Sequence, residues 1–251
     1  MRTRALTWMT VAALAASGCG GDGGGGGKGA GAGVAAPTTP AESDCATARL
    51  RTSVAPDDLV TPPGRYRYRT AGTKRVEGQS AQRLPGASQT LVTRPRSAGQ
   101  LRCFRVQRRY GAGLVDTATF VVRGGDVYAT QLEAAAGGDL LEIRPEPPIR
   151  VLADGETEWG GAFGGATSGR YVAQVIGQRT FRVDGASVKA VGIDVRTSFQ
   201  GELEGSEHSV RWVALDGNVV VEEEVEQRRD FGLDRVVMRH RSRLAKALRS
   251  G

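Results

Sequence analysis

The sequence predicts an all-β protein built on a single antiparallel curved sheet or half-barrel, with a two-sheet β-sandwich as the alternative. Three observations support this class. Apolar and polar residues alternate with period two along many short segments. Glycine-containing turns, such as Gly124-Gly125 and Asp184-Gly185, separate these segments. Helical periodicity is almost absent, which leaves short terminal helices at most, at 44–51 and 242–248.

The first half of the folded region begins with a strictly alternating segment. Tyr66 and Tyr68 fall on one face, whereas Arg65, Arg67 and Arg69 fall on the other. The strands predicted in this half are 64–70, 88–93, 100–110, 116–123, 127–133 and 140–144. Pro-Glu-Pro-Pro follows the last of them and must form a break or an edge, because proline cannot donate to a sheet.

The second half repeats the pattern. The predicted strands are 170–177, 179–183, 188–199, 206–214, 218–226 and 233–243. The strand at 188–199 places the alternate residues from Val191 to Phe199 on one face, and the next places His208, Val210 and Trp212 together. Apolar residues on one face and charged residues on the other are typical of a sheet solvated on one side.

Residues 1–18 are predicted to be a lipoprotein signal peptide. Arg2 and Arg4 precede an apolar stretch from Ala5 to Ala16, which is too short for a permanent membrane-spanning helix. Small residues then lead to Cys19, as in the lipobox, where the cysteine thiol is acylated, for example with palmitate, and becomes the new N-terminus. An ordinary secretory signal is the alternative, although a glycine-rich run directly after a cysteine is better suited to a tether.

The remainder divides into a tether and one domain. Residues 19–43 combine the acylated cysteine with a Gly/Ala/Pro-rich segment that has too few bulky apolar side chains to form a core. Residues 44–251 are predicted to form one antiparallel β domain. We therefore expect an extracytoplasmic protein of the cell envelope, lipid-anchored to the outer face of the cell membrane.

The chain is basic, and basic residues concentrate at 65–75, 94–109 and 228–249. Loss of Arg2 and Arg4 with the signal peptide lowers the formal charge from +7 to +5. Nucleic acid is not the expected partner, because the chain is exported and its cations alternate along strands instead of lining one helix. The pattern favours a solvated strand face near anionic lipid headgroups or wall polymers.

Three cysteines are present. With Cys19 acylated, Cys45 and Cys103 form an even pair in an oxidising compartment, and we expect a disulfide bond between them. The alternative is two buried free thiols.

From Pro145 onward, several landmarks follow one another in a recognisable order. They are Pro-Glu-Pro-Pro, Val151-Leu152, Trp159-Gly160, Gly169-Arg-Tyr171, Phe181 to Gly185, Gly201 to Gly205 and Trp212. In this order the chain resembles uncharacterised lipoproteins and secreted β-proteins of actinobacteria and their relatives, which are distantly similar to half-barrel lipoprotein carriers of the LolA and LolB type. The similarity covers 64–244, and it implies a half-barrel fold that carries a hydrophobic molecule.

The sequence offers little support for catalysis. Its two histidines, His208 and His240, are far apart, and the H-E-x-x-H, C-x-x-C and G-x-S-x-G motifs are absent. The glycine-rich stretch at 160–169 is expected to be a mobile loop. Glutamates could supply paired carboxylates, but their alternation with valine indicates a solvated face; they are Glu202, Glu204, Glu207, Glu222, Glu223 and Glu224. We expect no enzyme activity, no cofactor and no metal.

Two functional hypotheses remain. In the first, the curved sheet encloses an apolar cavity that binds or carries a lipid-like ligand. The candidate lining residues are Trp159, Phe163, Tyr171, Phe199 and Trp212. In the second, the domain is a non-catalytic interaction module that meets a cell-envelope polymer or protein through its basic strand faces. In that case the same aromatic residues fill an ordinary core.

Overall fold

The structure, a computed structural model, describes residues 61–249 except for short gaps at 94–102, 112–113, 124–125, 137–138, 152–155, 164–165, 202–203 and 231–234. The strands of the first half are β1 (Gly64–Val76), β2 (Gln82–Arg83), β3 (Ala87–Thr93), β4 (Cys103–Gly111), β5 (Leu114–Arg123), β6 (Asp126–Ala136) and β7 (Asp139–Ile143). Those of the second half are β8 (Ile149–Arg150), β9 (Glu156–Ala162), β10 (Ser168–Val183), β11 (Ala186–Gln200), β12 (Glu204–Ala214), β13 (Val220–Asp230) and β14 (Arg235–Arg249).

The all-β prediction is confirmed. The described strands form one antiparallel sheet, and its main path runs β7-β6-β5-β4-β3-β1-β14-β13-β12-β11-β10-β9, with β2 and β8 beside it. The sheet curls into a half-barrel. The described residues include no helix, and therefore none long and apolar enough to cross a membrane.

The sheet consists of two meanders joined at the middle. Strands β1 to β7 wind outward on one side and β9 to β14 on the other, and β1 pairs with β14. Tight turns make this possible. Between β10 and β11, Asp184 and Gly185 both have positive φ, at 48° and 82°, a combination that suits a two-residue hairpin turn.

A segment after β7 connects the two outer regions of the sheet. The short strand β8 pairs with β6 through Tyr128 with Arg150 and Ala129 with Ile149. Just before it, Glu146 forms an isolated bridge with Ala162 at the end of β9. This segment therefore lies along the seam between the two sides of the half-barrel.

Because side chains alternate between the two faces of each strand, every second side chain packs on the concave side. On β1, Tyr66 and Tyr68 are buried while the arginines between them are exposed. Phe104 and Phe120 stack on neighbouring strands, with ring centroids 5.0 Å apart, and both are fully buried. These contacts form one continuous hydrophobic core that extends over both halves.

Some local predictions were wrong. The segment 242–248 is not helical, because β14 continues through it to Arg249 and pairs with β1. Its burial has period two, with Ser242 and Leu244 buried and Arg243 exposed. Similarly, Gly160 belongs to β9 and not to a loop. The other proposed helix, at 44–51, lies outside the described residues.

Candidate functional site

Three of the predicted lining residues pack together on the concave side beside β9. The ring of Phe163 lies 5.0 Å from that of Trp159 and 5.0 Å from that of Phe199, centroid to centroid. The indole Nε1 of Trp159 donates a hydrogen bond of 2.8 Å to the carbonyl oxygen of Pro147, on the segment that follows β7. We call Trp159, Phe163 and Phe199 the aromatic cluster.

The aromatic cluster depends on a close backbone approach at Gly169. A Cβ atom there would lie 2.0 Å from Cε2 of Phe163. Tyr171 lies two residues further along β10, is the cross-strand partner of Trp159 on β9, and is fully buried. Burial raises the pKa of Tyr171 well above its ordinary value, so this side chain is a neutral phenol.

Trp212 lies apart from the other four. Its neighbours Arg211 and Val213 are buried inward, whereas Trp212 occupies the opposite face of β12 and is half-buried. The tip of the β10–β11 hairpin covers it, with the ring of Phe181 at 5.7 Å and the guanidinium carbon of Arg179 at 5.2 Å from its centroid. The structure therefore brings four of the five predicted residues to the interior, and the fifth to the outer face.

The interior also holds a group of charged side chains that the sequence reasoning did not single out as a site. We call it the buried charged network. Its members come from β4, β5, β12, β13 and β14, and each is at most 5% exposed; they are Arg108, Asp116, Glu207, Arg211, Glu223, Arg229 and His240.

Glu223 is at the centre of this network. Its Oε1 is ion-paired with Arg108 and lies 3.0 Å from Nε2 of His240, and its Oε2 lies 3.9 Å from Nε of Arg211. Glu207 holds the other end, where Arg211 donates a hydrogen bond of 3.1 Å to its carboxylate. Two carboxylates are thus shared among several donors, as buried charges require.

The ion pair between Arg108 and Glu223 crosses the interior. Arg108 is on β4 and Glu223 on β13, and β3, β1 and β14 lie between these strands in the sheet. The guanidinium carbon of Arg108 also lies 5.3 Å from the ring centroid of Tyr68 and 4.9 Å from that of Tyr110. The two walls of the half-barrel are therefore linked by charge across the concave side.

The network sets the protonation of its acids. Burial alone would raise the pKa of Glu223, but the Arg108 guanidinium and the hydrogen bond to His240 outweigh it and hold this pKa well below its usual range. Burial raises the pKa of Glu207, although Arg211 and Arg229 oppose the rise. Burial also raises the pKa of Asp116 to about 7, again against Arg229 and Arg108. Near neutral pH, Glu223 is therefore ionised, whereas Asp116 changes its protonation state in this range.

Several polar atoms in the interior have no hydrogen-bond partner among the described residues. Among them are Nε and Nη2 of Arg108, the hydroxyl of Tyr171, Oγ of Ser209, Oε1 of Gln131 and Nδ1 of His240. A buried polar group without a partner costs about 1–3 kcal/mol. The interior consequently retains hydrogen-bonding capacity. Tyr171, which pairs with Trp159, supplies it beside the aromatic cluster, and Arg108 supplies it in the buried charged network.

The prediction that the glutamates form a solvated face was wrong for three of them. Glu207, Glu222 and Glu223 are at most 4% exposed. A signal was present in the sequence, because Glu223 alternates with Val221 and Val225, which are buried on the same face. The alternation of Phe104, Val106 and Tyr110 likewise places Arg108 inward, as a cation on an apolar face.

Two open grooves lie on the outer side of β10 to β14, with volumes of about 600 Å³ and 400 Å³. His208 contributes to both, and its Nε2 lies 2.9 Å from the carboxylate of Asp194. Arg196 is paired with the same carboxylate at 3.2 Å. The other arginine of the larger groove, Arg170, is paired with Glu158 at 2.7 Å, so both of its arginines are balanced by acids. The interior, which holds buried polar atoms without a partner among the described residues, is the stronger candidate site.

Other predicted features are only partly described. Cys103 is disulfide-bonded, and its partner lies outside the described residues, so pairing with Cys45 stays a prediction. Cys19 and the boundaries at 18 and 43 also lie outside them. Within the described residues, no group of three or more His, Cys, Asp or Glu side chains is arranged to hold a metal ion.

Comparison with known proteins assigns neither a family nor a function to this chain. No family model, curated protein or solved structure matches this chain.

Proposed function

We propose that this protein is a membrane-anchored extracytoplasmic lipoprotein, without catalytic activity, that binds an amphiphilic, lipid-like ligand on the concave side of its half-barrel. One observation carries the proposal. The interior combines the aromatic cluster with buried polar groups that have no partner among the described residues. Ligand sites in proteins typically pair an apolar wall with a few converging polar groups.

The two parts of the interior suit the two parts of an amphiphile. The aromatic cluster and the apolar residues around it offer contact to an acyl chain. Arg108 offers N–H donors in a fixed fork, which match a phosphate or carboxylate head group. The hydroxyls of Tyr171 and Ser209 can complete the hydrogen bonds of that head group.

The seam between the two sides of the half-barrel is the place where a ligand can enter the interior. In the described part, β8 pairs with β6 on the first side, and the segment is joined to β9 by the bridge from Glu146 to Ala162 and by the hydrogen bond from Trp159 to Pro147. Elsewhere each strand of the main path is held along its length, as between β10 and β11. Separation at the seam breaks few hydrogen bonds and exposes the concave face, so we place ligand entry there.

The test is native mass spectrometry of residues 20–251, which retain all described strands. Dodecyl phosphate and dodecanol are offered as probes with the same tail. We expect a 1:1 adduct with dodecyl phosphate that weakens in Tyr171→Phe and in Ser209→Ala, because each loses one hydroxyl without leaving a charge unpaired. Trp212→Phe serves as the matched control on the outer face and should bind normally.

Two outcomes decide against the proposal. Uptake that is equal for both probes and unchanged in the hydroxyl variants would contradict a polar head-group site in the interior. A clean apo mass with neither probe bound, in protein that circular dichroism shows to be folded, would contradict ligand binding altogether. That result would favour the interaction module predicted as the alternative.

A further inference from the structure

A row of exposed cations runs along the outer face of the two central strands. On β1, Arg65, Arg67 and Arg69 are all exposed. Across the pairing with β14, Arg67 is opposite Lys246 and Arg69 is opposite Arg243, both exposed as well. We call these five residues the basic strip. Like charges directly opposite each other destabilise a sheet, so the strip is costly in the isolated protein.

The neighbouring strands show a different arrangement. On the outer face of β13 and β14, Arg239 is paired with Glu226 at 2.9 Å, and Arg241 is paired with Glu222 at 3.0 Å and with Glu224 at 3.3 Å. Glu222 is also the cross-strand neighbour of Arg243, but its carboxylate binds Arg241. Cations are thus neutralised along this part of the surface.

The basic strip lacks such neutralisation. No carboxylate of the described residues forms an ion pair with Arg65, Arg67 or Arg69. Their partners on β3 are the neutral residues Leu91, Gln89 and Ala87. The strip therefore presents uncompensated positive charge to the solvent.

The strip is also held rigidly. Tyr66 and Tyr68, which alternate with its arginines, are buried at 1% and 4% exposure, and Tyr66 donates a hydrogen bond of 2.6 Å to the carbonyl oxygen of Pro62. Successive outward residues on a strand are about 7 Å apart. The arginine side chains thus project in a fixed row and lose little backbone entropy on meeting a charged surface.

We propose that the basic strip docks the folded domain on an anionic phospholipid surface. The strip has the complementary charge, and cations near such a surface contribute about 1 kcal/mol each. Its location supports this partner, because β1 directly follows the N-terminal segment that carries the predicted anchor at Cys19. The inference goes beyond ligand binding in the interior and does not depend on it.

The experiment measures binding of residues 20–251, which lack the acylation site, to vesicles of phosphatidylglycerol and phosphatidylcholine. The test variant replaces Arg65, Arg67 and Arg69 by Gln. The control variant replaces by Gln three exposed arginines that have acidic partners, namely Arg170, Arg196 and Arg228. It changes the net charge by the same amount as the test variant. We expect the test variant to bind anionic vesicles roughly a hundredfold more weakly, and the control to bind nearly as the parent does.

Three results would overturn the proposal. Equal binding of the parent protein to vesicles of phosphatidylglycerol and to vesicles of phosphatidylcholine alone would show that lipid charge plays no part. Equal losses in the two variants would show that net charge alone decides binding. Retention by a soluble anionic polymer with no vesicle binding would assign the strip to a wall polymer. Uptake of dodecyl phosphate by the strip variant, which should be unchanged, separates this test from that of the proposed function.

Discussion

Removal of Arg108 alone is expected to destabilise the protein more than removal of both partners of its ion pair. In Arg108→Met, the Glu223 carboxylate stays buried at 0% exposure without its main counter-charge. Breaking a buried pair from one side typically costs about 3–5 kcal/mol. Because His240 and Arg211 still contact Glu223, we expect the lower end of that range.

The double variant Arg108→Met/Glu223→Gln should recover part of this loss. Glutamine keeps a hydrogen-bonding group near His240 but carries no charge, so the desolvation penalty of the lone carboxylate disappears. The assay is urea unfolding followed by circular dichroism at pH 7, with the slope of the transition checked for each variant. A variant whose slope differs is left out of the comparison, because a changed slope means that more than the stability has changed.

A control pair on the outer face sets the scale. Arg241 is 57% exposed and pairs with Glu222 and Glu224, so Arg241→Met should cost no more than about 1 kcal/mol. Equal losses in Arg108→Met and Arg241→Met would refute the view that charge links the two walls. A double variant less stable than Arg108→Met would also contradict it.

Three further predictions concern other parts of the fold. The pKa of Asp116 is raised from 3.8 to about 7, so its protonated form stabilises the protein at low pH and this contribution disappears as pH rises through 7. Asp116→Asn should therefore flatten the pH dependence of the free energy of unfolding between about pH 4 and 7, and an unchanged pH profile would contradict the assignment. Gly169→Ala should lower the melting temperature strongly, because the added methyl group lies 2.0 Å from a ring carbon, whereas Gly160→Ala, with its nearest atom at 3.9 Å, should not. Cys45→Ser and Cys103→Ser should each lower the free energy of unfolding by about 4 kcal/mol. The double variant should lose no more than either single variant, because both changes remove the same disulfide bond. Additive losses would show that Cys103 has another partner.

Much of the architecture could be predicted from local alternation. On β1, the strict exchange of Arg65, Tyr66 and Arg67 gives the correct face for each side chain, because period two follows directly from strand geometry. The same rule identifies Arg108 and Glu223 as inward-facing once their apolar neighbours are considered. A prediction that treats every charge as a sign of solvent exposure misses the buried charged network, because its members lie on the apolar faces of their strands.

The contacts across the interior could not be predicted in this way. The pair between Arg108 and Glu223 depends on how tightly the sheet curls, which no short segment encodes. Trp212 shows a similar difficulty. It shares its face with His208 and Val210, as predicted, but only the β10–β11 hairpin that covers it shows that this face is the outer one.

The pairing of β1 with β14 also has a consequence for how the chain reaches its native state. Gly64 is paired with Arg249, so the two central strands of the sheet come from opposite ends of the described sequence. Contacts of such large sequence separation are slow to form, because a long loop must close before they contribute. Each meander can assemble locally, but the centre of the sheet forms only when the last strand is present. A chain synthesised N-terminus first therefore keeps this edge of β1 unpaired until β14 is available, and this is the period when aggregation through that edge is most favourable.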